Sequence, residues 1–175
     1  MKLTLRTMPH PLPDVCHPIA GWLLARPELH TVAIFAPLPG EPDLLRLPDL
    51  VAARSWCFPR VVDARRLAFH RASDISGFRA SAFGVREPAP DAPGVSSKAI
   101  DAFLCPGLAF TRDGGRLGHG RGYYDRLLAD ARADAVKVGV CFACQVVEAD
   151  IIEPHDVPMD FVISELGVAT PAERA

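Results

Sequence analysis

The sequence has no apolar run approaching the roughly 20 residues that a membrane-crossing helix requires, and no charged head followed by an apolar core of the kind that directs secretion. A cytoplasmic protein is the expectation. A charge excess is missing too, because 19 basic and 21 acidic residues nearly cancel. That balance leaves no general electrostatic footprint for nucleic acid, although short basic patches can still grip phosphate. The expected partner is a small molecule, with neither nucleic acid nor membrane. Regularly spaced cysteines are also absent, and five cysteines, an odd number, fit a reducing compartment better than a disulfide framework. Cys141 and Cys144 form a Cys-x-x-Cys, which in isolation suggests redox work or half a zinc site. They follow the apolar run from Val136 to Val140, and no second Cys or His pair has zinc spacing. Packing as small hydrophobes is the stronger reading.

What is present is a chain of 175 residues, 49% of them hydrophobic. It is long enough for one good core and too short for two ordinary domains. One α/β domain over 1–175 is expected, with 1–18 as an irregular N-terminal segment and 167–175 as a tail. Seventeen prolines and thirteen glycines divide the chain into short elements without internal repeats. Ile19 to Arg26 reads as a short helix ending at Pro27, Thr31 to Ala36 as a buried strand, and Asp43 to Arg54 as helical despite Pro48. Trp56 to Val62 is a second strand. Leu67 to His70 and Ala80 to Val85 read as a small hairpin, and Glu87 to Gly94 as a proline-rich loop. Ile100 to Cys105 is a strand closed by Pro106-Gly107, and Tyr123 to Ala133 a helix with Leu127 and Leu128 facing the core. Val136 to Phe142 and Phe161 to Ser164 supply further strands. The economical solution is a three-layer α/β/α domain with a mostly parallel, Rossmann-like sheet.

The segment from Pro106 to Asp125, PGLAFTRDGGRLGHGRGYYD, lies between a buried strand and a helix. Its glycines let the backbone approach a ligand closely, and amides at the start of the following helix favour an anion there. Arg116 and Arg121 add planar forks suited to phosphate oxygens. Asp125 offers a carboxylate to a magnesium ion, a hard cation commonly shared with substrate phosphates. A lone Gly-x-Gly-x-Gly is more often a surface turn. Here Arg116 and Arg121, two consecutive tyrosines and Asp125 share the segment, at the carboxyl end of a strand where open α/β sheets place ligands. The segment matches neither the phosphate loop ending in Gly-Lys-Ser/Thr nor the dinucleotide fingerprint.

Arg116-Leu117-Gly118-x-Gly120-x-Gly122-Tyr123-Tyr124-Asp125, preceded by Pro106-Gly107-x-Ala109-Phe110, closely resembles the signature of the 5-formyltetrahydrofolate cyclo-ligase family, also called methenyltetrahydrofolate synthetase. Three other stretches agree in order: Phe35 to Asp43 (FAPLPGEPD), Phe83 to Pro88 (FGVREP) and Glu153 to Asp160 (EPHDVPMD). The resemblance covers roughly residues 19 to 166. It implies an ATP- and magnesium-dependent closure of 5-formyltetrahydrofolate to 5,10-methenyltetrahydrofolate, with release of ADP and phosphate. By the same resemblance Arg116, Leu117, Gly118, His119, Gly120, Arg121, Gly122, Tyr123 and Tyr124 would bind ATP. Ala36, Glu41, His119 and Tyr123 would border the folate, and Asp125 and Asp156 would hold magnesium. Arg116, Arg121 and Tyr123 would be the catalytic groups. Standing alone, Glu41 and Asp156 read as ordinary loop acids.

Two departures set expectations of their own. The family usually opens with a basic helix that reaches the ATP phosphates, whereas only Lys2 and Arg6 precede Pro11. The second reading is accordingly a member that binds folate or nucleotide without turnover. Thr111 stands where the family commonly has an aspartate. If that carboxylate serves the metal its loss matters, and if it only turns the chain then Thr111 or Asp113 can serve.

Overall fold

The computed structural model describes residues 11–72, 75–81, 84–149, 151–153 and 156–169. The first ten residues, with Lys2 and Arg6, lie outside the described residues, as do Phe83, Pro154 and His155. Helix α1 is Cys16–Leu24. It starts three residues before Ile19, inside the stretch expected to be irregular, because Pro18 falls in the first turn, where a missing N–H costs nothing. Asp14 accepts the Cys16 amide at 2.7 Å and starts the helix. Cys16, Ile19, Ala20 and Leu23 recur at helical spacing and are all buried.

Strand β1 is Thr31–Ala33, α2 is Leu47–Leu50, and β2 is Ser55–Val61. The helix expected from Asp43 to Arg54 shrinks to one turn, since Pro48 restricts the residues before it. Strand β3 is Leu67–Arg71, β4 Arg79–Ala80, β5 Arg86–Glu87, and β6 Gly94–Val95. This corrects the hairpin expected between Leu67–His70 and 80–85. β3 pairs antiparallel with β2, Pro59 opposite Phe69, whereas β4 pairs with β5. The β2–β3 connection closes tightly because Asp63 accepts the amides of Arg65 and Arg66 at 2.8 and 3.0 Å. The proline-rich stretch after Glu87 therefore runs between two strand ends.

Strand β7 is Ala102–Cys105, and the short β8 (Ala109–Phe110) and β9 (Arg116–Leu117) pair as a hairpin that the sequence did not announce. Helix α3 is Tyr123–Ala129, shorter than expected. Leu128 is buried and Leu127 packs beside it. β10 is Val136–Val140, β11 Phe161–Ser164, and β12 Gly167–Ala169. β12 lies in the stretch expected as a tail, paired antiparallel with β11.

One sheet of order β12-β11-β10-β7-β1-β2-β3-β6 results, its five central strands parallel. Strands buried on both faces need apolar residues in both directions, which explains runs such as AFLC in place of alternation. On one face Ile34, Phe58, Leu104, Val140 and Ile163 pack with α1 and α2 residues. On the other, Phe103, Cys105 and Val162 pack with Phe110, Met159 and Leu128 of α3. This is the expected three-layer arrangement. Gly139 in β10 leaves the space that the Phe110 ring occupies, since a Cβ there would sit 2.4 Å from it. Cys16, Cys57, Cys105 and Cys141 are buried free thiols, and burial pushes the Cys141 thiol up to about 12. Cys141 thus packs as a small hydrophobe.

Asp101, in the bend before β7, accepts the Thr31 amide at 2.6 Å and pairs with Arg132. Burial acts to raise its carboxyl, but the Thr31 amide and the Arg132 guanidinium outweigh it and hold the group below its ordinary 3.8. A depressed carboxyl stabilises the fold above its unfolded-state value and loses that contribution as pH falls through the folded-state value. Asp101→Ala is expected to cost about 1.5–3 kcal/mol in urea unfolding at neutral pH. The gap between variant and wild type should shrink once the pH drops below the ordinary carboxylate range.

Candidate active site

The β8–β9 hairpin carries the site's cationic residue and is fixed at its tip by backbone. Gly114 has φ of 94° and lies so close to Met159 that a Cβ would fall 2.2 Å from its carbonyl oxygen. Met159 in turn donates its amide to Gly114 at 2.8 Å. Only glycine satisfies both the left-handed backbone and that approach. Thr111 is buried, accepts the Gly115 amide through Oγ1 at 2.8 Å, and donates to Asp113. Its role here is to turn the chain.

Arg116, at the start of β9, points inward and is almost wholly enclosed. Its Nη2 donates to Asp125 Oδ1 at 2.7 Å, and its guanidinium lies 5.6 Å from the centre of the Tyr124 ring. Asp125 sits in the first turn of α3, so this ion pair joins the hairpin to the helix. Between the two ends runs the loop containing Gly120 and Gly122, both with positive φ, at 77° and 61°. Arg126 braces the loop from outside, donating to the carbonyls of Arg121 at 2.7 Å and Arg65 at 2.9 Å.

These residues border a cavity of about 700 Å³ at the carboxyl ends of the parallel strands. Phe35 and Ala36 reach it from the end of β1, Pro106 from the end of β7, and Pro59 and Val61 from β2. Glu41 is buried in its wall, accepting the Leu38 amide at 2.9 Å and facing His119 Nε2 at 3.3 Å. Tyr123 reaches the Asp63 carbonyl at 3.1 Å. Burial raises the Tyr124 phenol well above its usual 10, so it stays neutral. Asp156 accepts the Glu153 amide at 2.8 Å and lines the same cavity.

A model of the 5-formyltetrahydrofolate cyclo-ligase family matches residues 24–165. The chain belongs to that family. A 5-formyltetrahydrofolate cyclo-ligase of Mycoplasma pneumoniae is 39% identical over 155 residues, covering 84% of this chain and 80% of its own length. One of Mycolicibacterium smegmatis is 31% identical over 162 residues, covering 83% and 79%. The solved structure of Aquifex aeolicus 5,10-methenyltetrahydrofolate synthetase superposes with a TM-score of 0.76 at 30% identity, covering 92% of this chain and 83% of its own. The chain is thus an enzyme of the ligase class in folate metabolism. No helix among the described residues is long and apolar enough to cross a membrane.

Every residue that the sequence nominated for the site lines the one cavity: Ala36, Glu41, Arg116 through Asp125, and Asp156. Among the described residues no group of three His, Cys, Asp or Glu forms a metal cluster. Asp125 and Asp156 nevertheless share the cavity wall, and two carboxylates suit an octahedral cation that keeps waters and takes further ligands from phosphate. Three contributors escaped the sequence reading. Glu87 is buried in the wall, Arg126 braces the loop, and Gln145 is buried beneath Pro106-Gly107. Gln145 Nε2 donates to the carbonyls of Gly107 and Leu108 at 3.1 and 3.2 Å, and its Oε1 accepts the Phe142 amide at 2.8 Å. Only Glu87 had a signal, the Glu-Pro dipeptide quoted above. Nothing in the sequence marks Gln145.

The Arg116–Asp125 pair is expected to behave as one unit. Removing either partner strands a largely enclosed charge, which costs about 3–5 kcal/mol at full burial and somewhat less here, while removing both costs less than the sum. Urea unfolding of Arg116→Ala, Asp125→Ala and the double variant measures the coupling, and additive losses would show that the pair is not coupled.

Proposed function

We propose that this cavity performs the ATP-dependent closure of 5-formyltetrahydrofolate to 5,10-methenyltetrahydrofolate, with release of ADP and phosphate. The observation that carries the reading is convergence. Four stretches far apart in sequence, around residues 36–41, 85–87, 116–126 and 151–156, surround one cavity of the size that small-molecule sites have.

The formyl oxygen attacks the γ-phosphorus, forming an O–P bond as the bond to the ADP oxygen breaks. The N10 electron pair then attacks the formyl carbon, the C–O bond breaks to release phosphate, and the N10 proton passes to water. Neither step needs a protein nucleophile, so the chain's task is positioning and charge neutralisation. Arg121 and the amides of the Gly118–Gly122 loop hold the phosphates. Arg116, enclosed and paired, supplies positive field and orients Asp125. Ala36, Glu41, His119 and Tyr123 border the folate, and the Tyr124 ring lies 5.6 Å from the Arg116 guanidinium. Asp125 and Asp156 would hold the magnesium ion, which when bound supplies charge to the β- and γ-phosphates.

Incubation with 5-formyltetrahydrofolate, magnesium and ATP is expected to raise the near-ultraviolet absorbance of the conjugated methenyl product, and omission of ATP should abolish the rise. Arg121→Ala should lower kcat/KM about tenfold or more through loss of a charge-assisted phosphate contact. Folate binding without any ATP-dependent product would instead identify a non-catalytic binder.

A further inference from the structure

Two buried carboxylates face the cavity, and they are differently engaged. Glu41 uses both oxygens, one on the Leu38 amide and one toward His119. Glu87 is 6% exposed, and its side chain's only hydrogen bond among the described residues is the Val61 amide, at 3.3 Å. Arg79 stands opposite it in the β4–β5 ladder, yet no ion pair joins them among the described residues. A carboxylate removed from water normally gathers several donors, and one long bond leaves most of its acceptor capacity unused. Glu87 lines the cavity, and neither of its oxygens is among the fully enclosed atoms without a partner, so its spare acceptor capacity stays open to a ligand there.

The surroundings define what would supply them. Val61 and Leu67 are cross-strand partners, Pro59 lies two residues along β2 on the same face, and Val85 stands two before Glu87. These apolar residues line the cavity together with Glu87 and suit a flat heterocycle. The arginines and glycines of the signature loop, which line the same cavity, suit anions.

On the cyclo-ligase reading, on which this rests, we infer that Glu87 reads the amino-pyrimidine edge of the reduced pterin. The ring N–H and the neighbouring amino group form a planar pair of donors that a carboxylate accepts through two parallel bonds. Glu87 is thereby a specificity-determining residue, separating reduced pterins from ring systems that lack the amino donor.

The test compares 5-formyltetrahydrofolate with an analogue bearing a methyl in place of the pterin amino group, on wild type and on Glu87→Gln. Glutamine keeps an oxygen for the Val61 amide, so the melting temperature should hold. Wild type is expected to bind the analogue about 10–100-fold more weakly than the substrate, the range of a lost hydrogen bond that strands a charged group. In Glu87→Gln the KM for the substrate should rise by a similar factor with kcat little changed, and discrimination against the analogue should fall to about threefold or less. A wild type that binds both compounds equally overturns the inference without reference to any variant. Unchanged KM in a folded Glu87→Gln overturns it as well, while leaving the cyclo-ligase reading intact. Calorimetry showing no binding of 5-formyltetrahydrofolate to wild type would overturn both.

Discussion

The ion pair between Arg116 and Asp125 is the constraint around which the site is organised. It spans the glycine loop, so both ends of the most permissive stretch of backbone in the chain are held at 2.7 Å by charge. Glycines that wrap an anion also raise the entropy lost on ordering, and a loop free at either end would stay open. Pinning the ends of the loop by a nearly enclosed bidentate-capable guanidinium reduces that loss before any ligand arrives. The pair is in turn held from behind. Gly114 locks the hairpin tip on Met159, Gln145 holds the backbone at Gly107 and Leu108, and the Tyr124 ring lies beside the guanidinium.

That support can be so elaborate because the sheet beneath it is simple. Five parallel strands buried on both faces present their carboxyl ends together, and β1, β2 and β7 supply the crevice with residues at or just beyond those ends. β1 leaves its ladder after Ala33, freeing Phe35 and Ala36 to line the cavity while Ile34 still donates to Cys57 at 2.9 Å. β7 ends at Cys105 and hands the chain to the signature segment. The position of the site thus follows from the direction of the strands.

Legibility from sequence tracked how local each cause was. β7, β10 and β11 were readable because a strand covered on both faces must be apolar throughout. The signature segment was readable because phosphate wrapping demands glycine and arginine within one short stretch. The pairings of β4 with β5 and β8 with β9 were not, as two-residue ladders carry no periodicity and exist because tertiary packing holds them. α3 was drawn too long for a similar reason. Arg132, inside the stretch expected to be helical, is committed to Asp101, 31 residues earlier, an attraction invisible in a local window. Gln145 lies 38 residues from the Gly107 carbonyl it holds.

The two cavity carboxylates show the same distinction in their chemistry. Glu41 lies in a proline-rich turn and reaches back three residues to the Leu38 amide, a contact that any acid in such a turn can make. Standing alone it reads as an ordinary loop acid and only the family resemblance places it at the folate, and the structure gives it a structural task in addition to its place on the wall. Glu87 has no comparable local partner, and its burial follows from β5 packing beside the end of β2. A carboxylate that the fold encloses with a single hydrogen bond keeps most of its acceptor capacity open. That capacity is what a ligand can use, which makes the less engaged acid the more informative one about what the cavity receives.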